Sequence, residues 1–478
     1  LRQPVRLGKD SFCRGKIARS TINEAIFILK RYKKLCDEYN VTKIGTVATT
    51  AVREALNFEI FIDNIKTYTD IDVEIISSTK ECRLVYKALL KTIKDDEKLD
   101  KDEYFVSIEV GAGNVEITIF NEDYIIFFKS LPLGSLKIKQ IYAKYSNNER
   151  NFFKYLKIIV SNELRGLKRK IPNIKIKKLF GIGSDLEDIS KILNNSTDEL
   201  LPIDRNEYKK FCFKIQNYTE DELIHKLGVR YEQAETFYAS NMLFLKVMFF
   251  LRIDKFHISN VSLRDGILED MLMKEDTEKF YSRVEKQLLV TSLNIGNSLN
   301  FEEKHALKVM EFALKIFDAT LEIHHLTNKE KSYLLTAAIL HDVGISISAR
   351  SHHKHSLYVI NAQDFFYLND NEKNIVANIA RYHRRSAPKI SHTEYVKLCE
   401  NDKMVVIKLA SILRIADSLD NSNTQVIKSI DIKIERNKVI ITATVLDNPL
   451  AELYAFRSKK ELFEDFFGFN IKLNILRK

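Results

Sequence analysis

The chain changes character near residue 286, and this change limits the folds that it can adopt. Before it, short apolar runs of strand type alternate with helical stripes, and glycine turns separate them. After it, glycine becomes scarce and long amphipathic stretches continue to about residue 422. Alternating strands and helices are typical of an α/β layer, whereas sustained amphipathic stretches are typical of packed helices. The sequence therefore predicts an α/β region followed by an all-α region.

Composition is consistent with a folded protein of several domains. Of the 478 residues, 45% are hydrophobic and 29% are charged, which is enough to form sizeable cores. The 75 Lys and Arg residues exceed the 65 Asp and Glu residues, and the resulting net charge of +10 favours an anionic substrate or partner. Five widely spaced cysteines without a CxxC pair predict a reducing, cytoplasmic location. The apolar runs are shorter than the roughly 18 residues of a membrane span, so we expect no membrane association.

Local patterns predict the individual elements and the domain boundaries. Strands are predicted at 41–48, 73–77, 104–108, 115–120, 123–131 and 178–182. Helices are predicted at 17–39, 57–68 and 80–93, with a buried helix at 242–251 and a hairpin at 430–445. The predicted domains are an α/β domain at 1–98, a second at 99–284, a helical domain at 285–428 and a small α+β region at 429–478.

Two glycine turns each follow a predicted strand, at 111–114 and at 181–184. Small residues allow successive backbone N–H groups to point into one concavity, which suits a phosphate. A helix that begins after the second turn would add partial positive charge. Each turn alone is more typical of an ordinary connection, but two of them in successive α/β segments predict a cleft with the turns facing each other.

Polar residues at two other strand ends suggest further phosphate contacts. Thr49, Thr50 and Arg53 follow the strand predicted at 41–48, and hydroxyls with an arginine can hold an anion. Glu81 opens the next helix, where a carboxylate can act as a general base. The alternatives are a helix N-cap with a surface arginine, and a carboxylate that only interacts with the helix dipole.

Histidines are concentrated in the helical region. Nine of the 11 lie between His305 and His392. His305, the adjacent pair His341 and Asp342, and the distant Asp417 are predicted at inward-facing helical positions. Such a set can bind a metal or hydrolyse phosphate compounds. A buried hydrogen-bonded network without a metal is the equally weighted alternative.

Several segments together resemble the exopolyphosphatase/guanosine pentaphosphate phosphohydrolase (Ppx/GppA) family. ATTAVREA at 48–55 is similar to the family's A-T-S-A-x-R-E-A, and IISSTKECRL at 75–84 to its I-I-S-G-x-x-E-A-R-L. EVGAGNVE at 109–116 is similar to D-I-G-G-G-S-T-E, and it is followed by the matching SLPLG at 130–134. VSLRDG at 261–266 resembles G-x-R-E-G, and the histidine-rich block through Asp420 resembles the family's HD-like domain.

The resemblance implies a fold and an activity. The fold would be two actin-like (RNase H-like) α/β domains around a cleft, then an HD-like helical domain and a small C-terminal α+β region. The activity would be removal of the terminal phosphate from inorganic polyphosphate or pppGpp, with Glu81 as general base and Mg²⁺ near Glu109. We expect pppGpp, ppGpp and polyphosphate as ligands, no specific nucleic-acid sequence, and a homodimer.

The resemblance also implies two sets of binding residues. The predicted phosphate-binding residues are Arg53, Thr49, Thr50, Gly111, Ala112, Gly113, Asn114, Gly181, Gly183 and Ser184. The predicted ligands of a second divalent metal, in the HD-like domain, are His305, His341, Asp342 and Asp417.

Three departures from the family pattern bear on activity. The family's first phosphate loop, D-x-G-S-N, is not found before VRLG at 5–8, and we expect that two initial strands are missing from this sequence or lost. Glu109 and Asn114 replace Asp and Ser in the second loop, and Asp185 brings negative charge to the third. The alternatives are therefore a non-catalytic polyphosphate or alarmone binder, and a nucleotide phosphohydrolase that uses the HD-like domain.

Overall fold

The computed structural model describes residues 3–96, 103–145, 152–168, 171–172, 174–194, 202–272, 277–385, 387–389 and 391–477. The chain forms two compact units, Leu1–Lys274 (unit 1) and Glu275–Lys478 (unit 2). The boundary predicted at 98/99 lies outside the described residues.

Unit 1 is a mixed α/β structure. Its strands are β1 (Val47–Ala48), β2 (Glu74–Ile75), β3 (Tyr104–Val110), β4 (Val115–Phe120), β5 (Ile125–Leu131), β6 (Ile176–Ile182), β7 (Ile203–Asp204) and β8 (Lys255–Ser259). Its helices are α1 (Leu7–Arg14), α2 (Arg19–Glu38), α3 (Thr50–Arg53), α4 (Phe58–Thr69), α5 (Ser78–Asp96), α6 (Ser135–Tyr145), α7 (Phe152–Arg165), α8 (Ser184–Asn194), α9 (Arg205–Ile215), α10 (Glu220–Leu227), α11 (Tyr231–Leu251) and α12 (Leu263–Leu272).

The larger sheet of unit 1 has the strand order β5-β4-β3-β6-β8-β7. Strands β3, β4 and β5 form an antiparallel meander, whereas β3, β6 and β8 are parallel. Every residue of β4 is buried, because the sheet is covered on both faces. The predicted buried helix at 242–251 is confirmed as the second half of α11, where Leu243, Phe244 and Met248 belong to the core.

The first two strands are much shorter than the sequence predicts. β1 and β2 pair in parallel over two residues each, at Val47↔Glu74 and Ala48↔Ile75. Val41 and Ile44, which the pattern assigned to a strand, are 46% and 40% exposed. A strand needs a neighbour for its backbone hydrogen bonds, and the described part of the chain supplies β1 only with this short partner.

Helix α12 fixes the position of α5. A Cβ atom on Gly266 would lie 2.3 Å from the carbonyl oxygen of Leu84, so the two helices approach as closely as only glycine allows. Arg83 Nη2 and Lys87 Nζ also lie 3.0 and 2.5 Å from the two carboxylate oxygens of Asp270. The VSLRDG segment therefore supports the helix that carries Glu81.

Unit 2 combines a helical region with a small sheet. Its helices are α13 (Thr277–Ser298), α14 (Glu303–Ala319), α15 (Leu321–His324), α16 (Asn328–Leu340), α17 (His352–Asn361), α18 (Asp370–Arg381), α19 (Thr393–Val396), α20 (Glu400–Ser418), α21 (Leu450–Lys459) and α22 (Glu461–Phe467), with a 3-10 turn at Val343–Ser346. Its strands are β9 (Ile427–Glu435), β10 (Lys438–Val445) and β11 (Asn470–Arg477).

The packing of unit 2 explains its sequence pattern. Residues 332–340 of α16 are all buried, because this helix runs through the middle of the helical core. The predicted hairpin is confirmed: β9 and β10 are antiparallel, and Glu435 pairs with Lys438 across the turn. β11 then adds in parallel to β10.

Two predicted domain boundaries fall inside elements of unit 2. The boundary at 284/285 lies within α13, whose Val284 and Leu288 are buried in the helical core. The boundary at 428/429 lies within β9. The chain thus divides near residue 274. The change in sequence pattern near residue 286 lies inside α13, the first helix of unit 2. Among the described helices, none has the length and apolar character that crossing a membrane requires.

Candidate functional site

A cavity of about 110 Å³ in unit 1 brings together much of the predicted phosphate site. It lies where β1, β3 and the first turn of α5 meet. Its lining residues are Phe12, Thr49, Thr50, Ala51, Glu81, Glu109, Gly111, Ala112, Gly113, Asn114 and Glu116. Residues from four separate segments of the sequence therefore share one small, polar space.

The turn at 111–114 is held in place by close packing. A Cβ atom on Gly113 would lie 2.6 Å from Cγ2 of Thr50, and one on Gly134 would lie 2.2 Å from the carbonyl oxygen of Ala112. The N–H of Gly111 donates to the carbonyl of Asn114 at 2.9 Å and closes the turn. Within the described part of the chain, the N–H groups of Ala112 and Gly113 have no protein acceptor, so these two can bind an anion.

Arg53 joins the ends of the two short strands. Its guanidinium donates to the carbonyl of Ile76, to Oγ1 of Thr50 at 3.0 Å and to Oγ of Ser78 at 2.9 Å. Nη1 also lies 3.8 Å from Oε2 of Glu81. Arg53 does not line the cavity itself, but it places a positive charge directly behind the Glu81 carboxylate.

Three carboxylates lie at the cavity with this one arginine. Glu109 and Glu116 are directly opposite each other on β3 and β4 and so project from the same face of the sheet. Burial raises the pKa of Glu81, and the charge of Arg53 only partly offsets this effect. Burial and the charge of Glu81 raise the pKa of Glu109 to about 7. Burial and the two neighbouring carboxylates hold the pKa of Glu116 well above its usual range.

Hydrogen bonds orient part of this set. Nδ2 of Asn114 donates to Oε1 of Glu116 at 2.7 Å and to Oγ of Ser130 at 2.8 Å. Oε2 of Glu81, by contrast, is buried without a hydrogen-bond partner among the described residues. Buried acceptors usually have a donor, so this oxygen is available for a water or a cation.

The second glycine turn does not face the first across a cleft, and that prediction is wrong. Because β6 is parallel to β3, with Gly181 opposite Ile108, the two turns leave the same edge of one sheet. A Cβ atom on Gly183, which has φ +136°, would lie 3.3 Å from the carbonyl oxygen of Val110. Gly181, Gly183 and Ser184 are absent from the lining of the cavity described above.

Asp185 also differs from its prediction. Its side chain is buried and hydrogen-bonds with Ser240, and burial raises its pKa to about 6. Arg230 donates from Nη2 to the carbonyl of Ser184 at 2.7 Å. The Asp185 carboxylate, which was expected beside a bound phosphate, therefore points into the core of unit 1.

The predicted histidine and aspartate residues of unit 2 also converge. Nε2 of His305 lies 3.3 Å from Nε2 of His341 and 3.8 Å from Oδ1 of Asp417. Nε2 of His341 lies 3.6 Å from Oδ2 of Asp342 and 3.8 Å from Oδ1 of Asp417. His305, His341 and Asp342 also line a cavity of about 350 Å³.

Sequence reasoning missed several members of both sets. In unit 2, His352 and His383 approach Asp342, and Asp420 accepts a hydrogen bond from His305. In unit 1 the missed residue is Glu116. A signal existed for it, because a hairpin turn at 111–114 pairs residue 109 with residue 116.

Comparison with known proteins identifies the family of this chain. The model of the Ppx/GppA phosphatase family matches residues 1–275, and that of Ppx/GppA phosphatase domain III matches residues 289–454. The first match includes the α/β fold and the cavity at its glycine turn. The chain belongs to the Ppx/GppA phosphatase family.

Individual relatives cover most of the chain at low identity. A guanosine-5'-triphosphate,3'-diphosphate pyrophosphatase of Photobacterium profundum is 19% identical over 458 residues, 95% of this chain and 88% of its own length. One of Pseudoalteromonas translucida is 23% identical over 353 residues, 72% of this chain and 67% of its own. The crystal structure of an exopolyphosphatase from Cytophaga hutchinsonii, at 20% identity and TM-score 0.51, covers 56% of this chain and 88% of that one. This last likeness supports the shared α/β fold.

Proposed function

We propose that unit 1 hydrolyses the terminal phosphoanhydride bond of inorganic polyphosphate, of pppGpp, or of both. Family membership supports a phosphatase, and the named activities of the relatives support these two substrates. The observation that carries the proposal is the buried Oε2 of Glu81. It faces the cavity without a donor among the described residues, 3.8 Å from the Arg53 guanidinium.

In this mechanism Glu81 acts as the general base. It accepts a proton from a water whose oxygen attacks the terminal phosphorus as the bridging P–O bond breaks. The proton is then passed to solvent or to the leaving phosphate oxygen. Arg53 opposes the effect of burial on the pKa of Glu81, because a neighbouring positive charge favours the carboxylate.

The glycine turn and the hydroxyls hold the substrate. The N–H groups of Ala112 and Gly113 would bind the oxygens of the terminal phosphate, and Thr49 and Thr50 line the same cavity. The N–H of Gly111 does not bind the phosphate, because it donates to the carbonyl of Asn114 within the turn. This cradle is fixed before the substrate arrives, so it requires little reorganisation during the reaction.

The carboxylates fit a magnesium ion. Glu109 and Glu116 face each other directly, and like charges in such pairs are destabilising. Oxygen ligands of this kind suit Mg²⁺, and we propose that these two residues hold it. When bound, the ion would offset negative charge on the phosphate oxygens.

We also propose that the helical part of unit 2 is the HD-like domain, and that it binds a divalent metal. His305, His341, Asp342 and Asp417 would be the ligands. Their mutual spacing of 3.3 to 4.0 Å supports this assignment.

Phosphate release from polyphosphate and from pppGpp, measured side by side with the full chain, tests the proposal. We expect release from at least one substrate with Mg²⁺ and little after chelation. An Asp342→Asn variant serves as the matched control, because it changes unit 2 and should release phosphate at the parent rate. Binding of both substrates without release would contradict the proposal and favour a non-catalytic binder. Release that disappears in Asp342→Asn would instead move the activity to unit 2.

A further inference from the structure

From the side chains around Asp342, we infer that unit 2 holds two divalent cations and that the Asp342 carboxylate bridges them. The second cation would be bound by His352 and His383, on the opposite side of Asp342 from His305 and His341. The inference rests on the cation proposed above at His305, His341, Asp342 and Asp417. It adds a second site whose two histidines were not among the predicted ligands.

The two oxygens of Asp342 face different histidines. Oδ2 lies 3.6 Å from Nε2 of His341 and 4.0 Å from Nε2 of His305. Oδ1 lies 3.0 Å from Nε2 of His352 and 3.4 Å from Nε2 of His383. A single carboxylate thus separates two groups of imidazole nitrogens.

The hydrogen bonds of the four imidazoles determine where their protons lie. Nδ1 of His341, His352 and His383 lies 2.8, 3.0 and 2.7 Å from the backbone carbonyls of Ala338, Ala349 and Ala380, respectively. A carbonyl can only accept, so each Nδ1 carries the hydrogen and each neutral ring keeps a lone pair on Nε2. Nδ1 of His305 is oriented in the same way by Oδ2 of Asp420, at 2.9 Å. Ligands of metal sites are commonly fixed by such partners.

His352 and His383 consequently offer no donor to each other or to Asp342. Nε2 of His352 and Nε2 of His383 are 3.4 Å apart, and with both protons on Nδ1 neither nitrogen can donate to the other. Oδ1 of Asp342 is buried and has no hydrogen-bond partner among the described residues. Two lone pairs and an anionic oxygen that converge in this way are satisfied by a cation.

The distances fit a cation at each position. Ligand atoms about 2.1 Å from a metal lie between about 3.0 Å apart, at right angles, and about 4.2 Å apart, on opposite sides. The separations within the first group are 3.3 to 4.0 Å. Those within the second group are 3.0 to 3.4 Å. Mixed imidazole and carboxylate ligands suit Mn²⁺, Fe²⁺ or Zn²⁺.

The surroundings favour a phosphate as the further ligand. Two divalent cations would exceed the charge of Asp342, Asp417 and Asp420, and the Lys459 ammonium already pairs with Asp417. Nη1 of Arg384 lies 3.3 Å from Nε2 of His352, on the side of the second cation. A cation bound to this nitrogen would take the lone pair that faces the guanidinium, and Arg384 could then pair with an anion.

Manganese content of the full chain tests the inference. After chelation, reconstitution with Mn²⁺ and exchange into buffer with excess Mg²⁺, which replaces a loosely bound ion at Glu109 and Glu116, we expect two Mn²⁺ ions per chain and an electron paramagnetic resonance spectrum of two coupled ions. His352→Gln and His383→Gln should each retain one uncoupled ion, whereas Asp342→Asn should retain at most one. The matched control is His324→Gln, because His324 is buried in the same core and contacts neither group. Circular dichroism of every variant checks the fold.

Two results would overturn the second cation, and a third would overturn phosphate as the further ligand. One is a single ion per chain in the parent protein, and another is two ions in His352→Gln and His383→Gln. In the first case the cation proposed at His305 stands and only the second site fails. The third result concerns the phosphate ligand and comes from calorimetric titration with inorganic phosphate. We expect the Mn²⁺-loaded parent to bind more phosphate than Mn²⁺-loaded Asp342→Asn. Equal binding by the two proteins would exclude the anion site.

Discussion

The cavity of unit 1 and the histidine cluster of unit 2 differ in the side chains that they offer to a cation. In unit 1, three carboxylates lie around a small cavity, and burial raises the pKa of each, with a further rise from neighbouring carboxylates at Glu109 and Glu116. In unit 2, each of the four imidazoles is oriented by an oxygen at Nδ1, and its Nε2 faces the cluster. Oxygen ligands bind Mg²⁺ loosely, whereas imidazoles bind transition metals firmly. We therefore expect an exchangeable ion in the first site and retained ions in the second.

The largest effect should come from Glu81→Gln. This variant keeps the size of the side chain but cannot accept a proton, and general-base catalysis contributes about a hundred- to ten-thousand-fold. We expect phosphate release to fall by that factor while polyphosphate binds about as well as to the parent. Steady-state release and a binding titration measure the two quantities. Glu74→Gln is the control, because Glu74 lies nearby on β2 but is 58% exposed and paired with Lys80.

The metal content of unit 2 should be unchanged in Glu81→Gln, which would show that the two sites are independent. A rate within a few-fold of the parent would remove Glu81 as the base. Activity should also fall as the pH decreases toward the raised pKa of Glu81, because only the ionised carboxylate can accept a proton.

A smaller effect is expected from Glu109→Gln, on stability in the absence of metal. The pKa of Glu109 is raised to about 7 in the folded chain, so the folded state binds more protons than the unfolded state between the ordinary carboxyl pKa and pH 7. Stability therefore falls as the pH rises from the ordinary carboxyl pKa to about 7, and the glutamine avoids this loss. With chelator at pH 8, the free energy of unfolding of unit 1 should increase by about 2 kcal/mol.

Calorimetric unfolding at pH 5 and pH 8 measures this effect. The gain should shrink at pH 5, where Glu109 is protonated in the folded chain, and the exposed Glu59→Gln should show no gain at either pH. A gain that is equal at both pH values would show that repulsion is not its cause.

The smallest effect is expected from Asp270→Asn, at the contact between α5 and α12. Burial opposes ionisation of Asp270, but hydrogen bonds from Lys87 and Arg83 and their charges lower its pKa. Its ion pairs therefore stabilise the chain above the ordinary carboxyl pKa, and this contribution is lost as the pH falls. We expect Asp270→Asn to cost about 1 kcal/mol at pH 7, since the pairs are partly exposed, and almost nothing at pH 3.

Chemical denaturation at the two pH values measures this difference. The matched control is Asp265→Asn on the same helix, whose carboxylate accepts from Ser262 and contacts no residue of α5 in the described structure. An equal cost of Asp270→Asn at both pH values would show that packing, not charge, holds α5.

Local sequence signals predicted the parts of both sites that depend on contiguous residues. The turn at 111–114, the threonines after β1 and Glu81 at the start of α5 were all found from short segments, and the structure places them at one cavity. Glu116 was missed because a lone acidic residue in a strand has no local pattern, although the hairpin fixes its partner.

Long-range packing explains what the sequence could not predict. Which face of α17 and α18 points inward depends on the helices around them, so the histidine-rich segments did not reveal that His352 and His383 meet at Asp342. The orientation of the second glycine turn depends on the parallel pairing of β6 with β3. The extent of β1 and β2 depends on their neighbours and not on their own β propensity.

The contact between Gly266 and Leu84 has a consequence for genetics. Even an alanine at 266 would push against the backbone of α5, and the first turn of that helix carries Glu81. A screen for inactive alleles should therefore recover substitutions at this glycine, and their phenotype should match that of an active-site mutant. The altered residue lies outside the cavity lining. If a family alignment showed glycine to be invariant at this position, the reason would be the close packing of α12 on α5 and not a contact with the substrate.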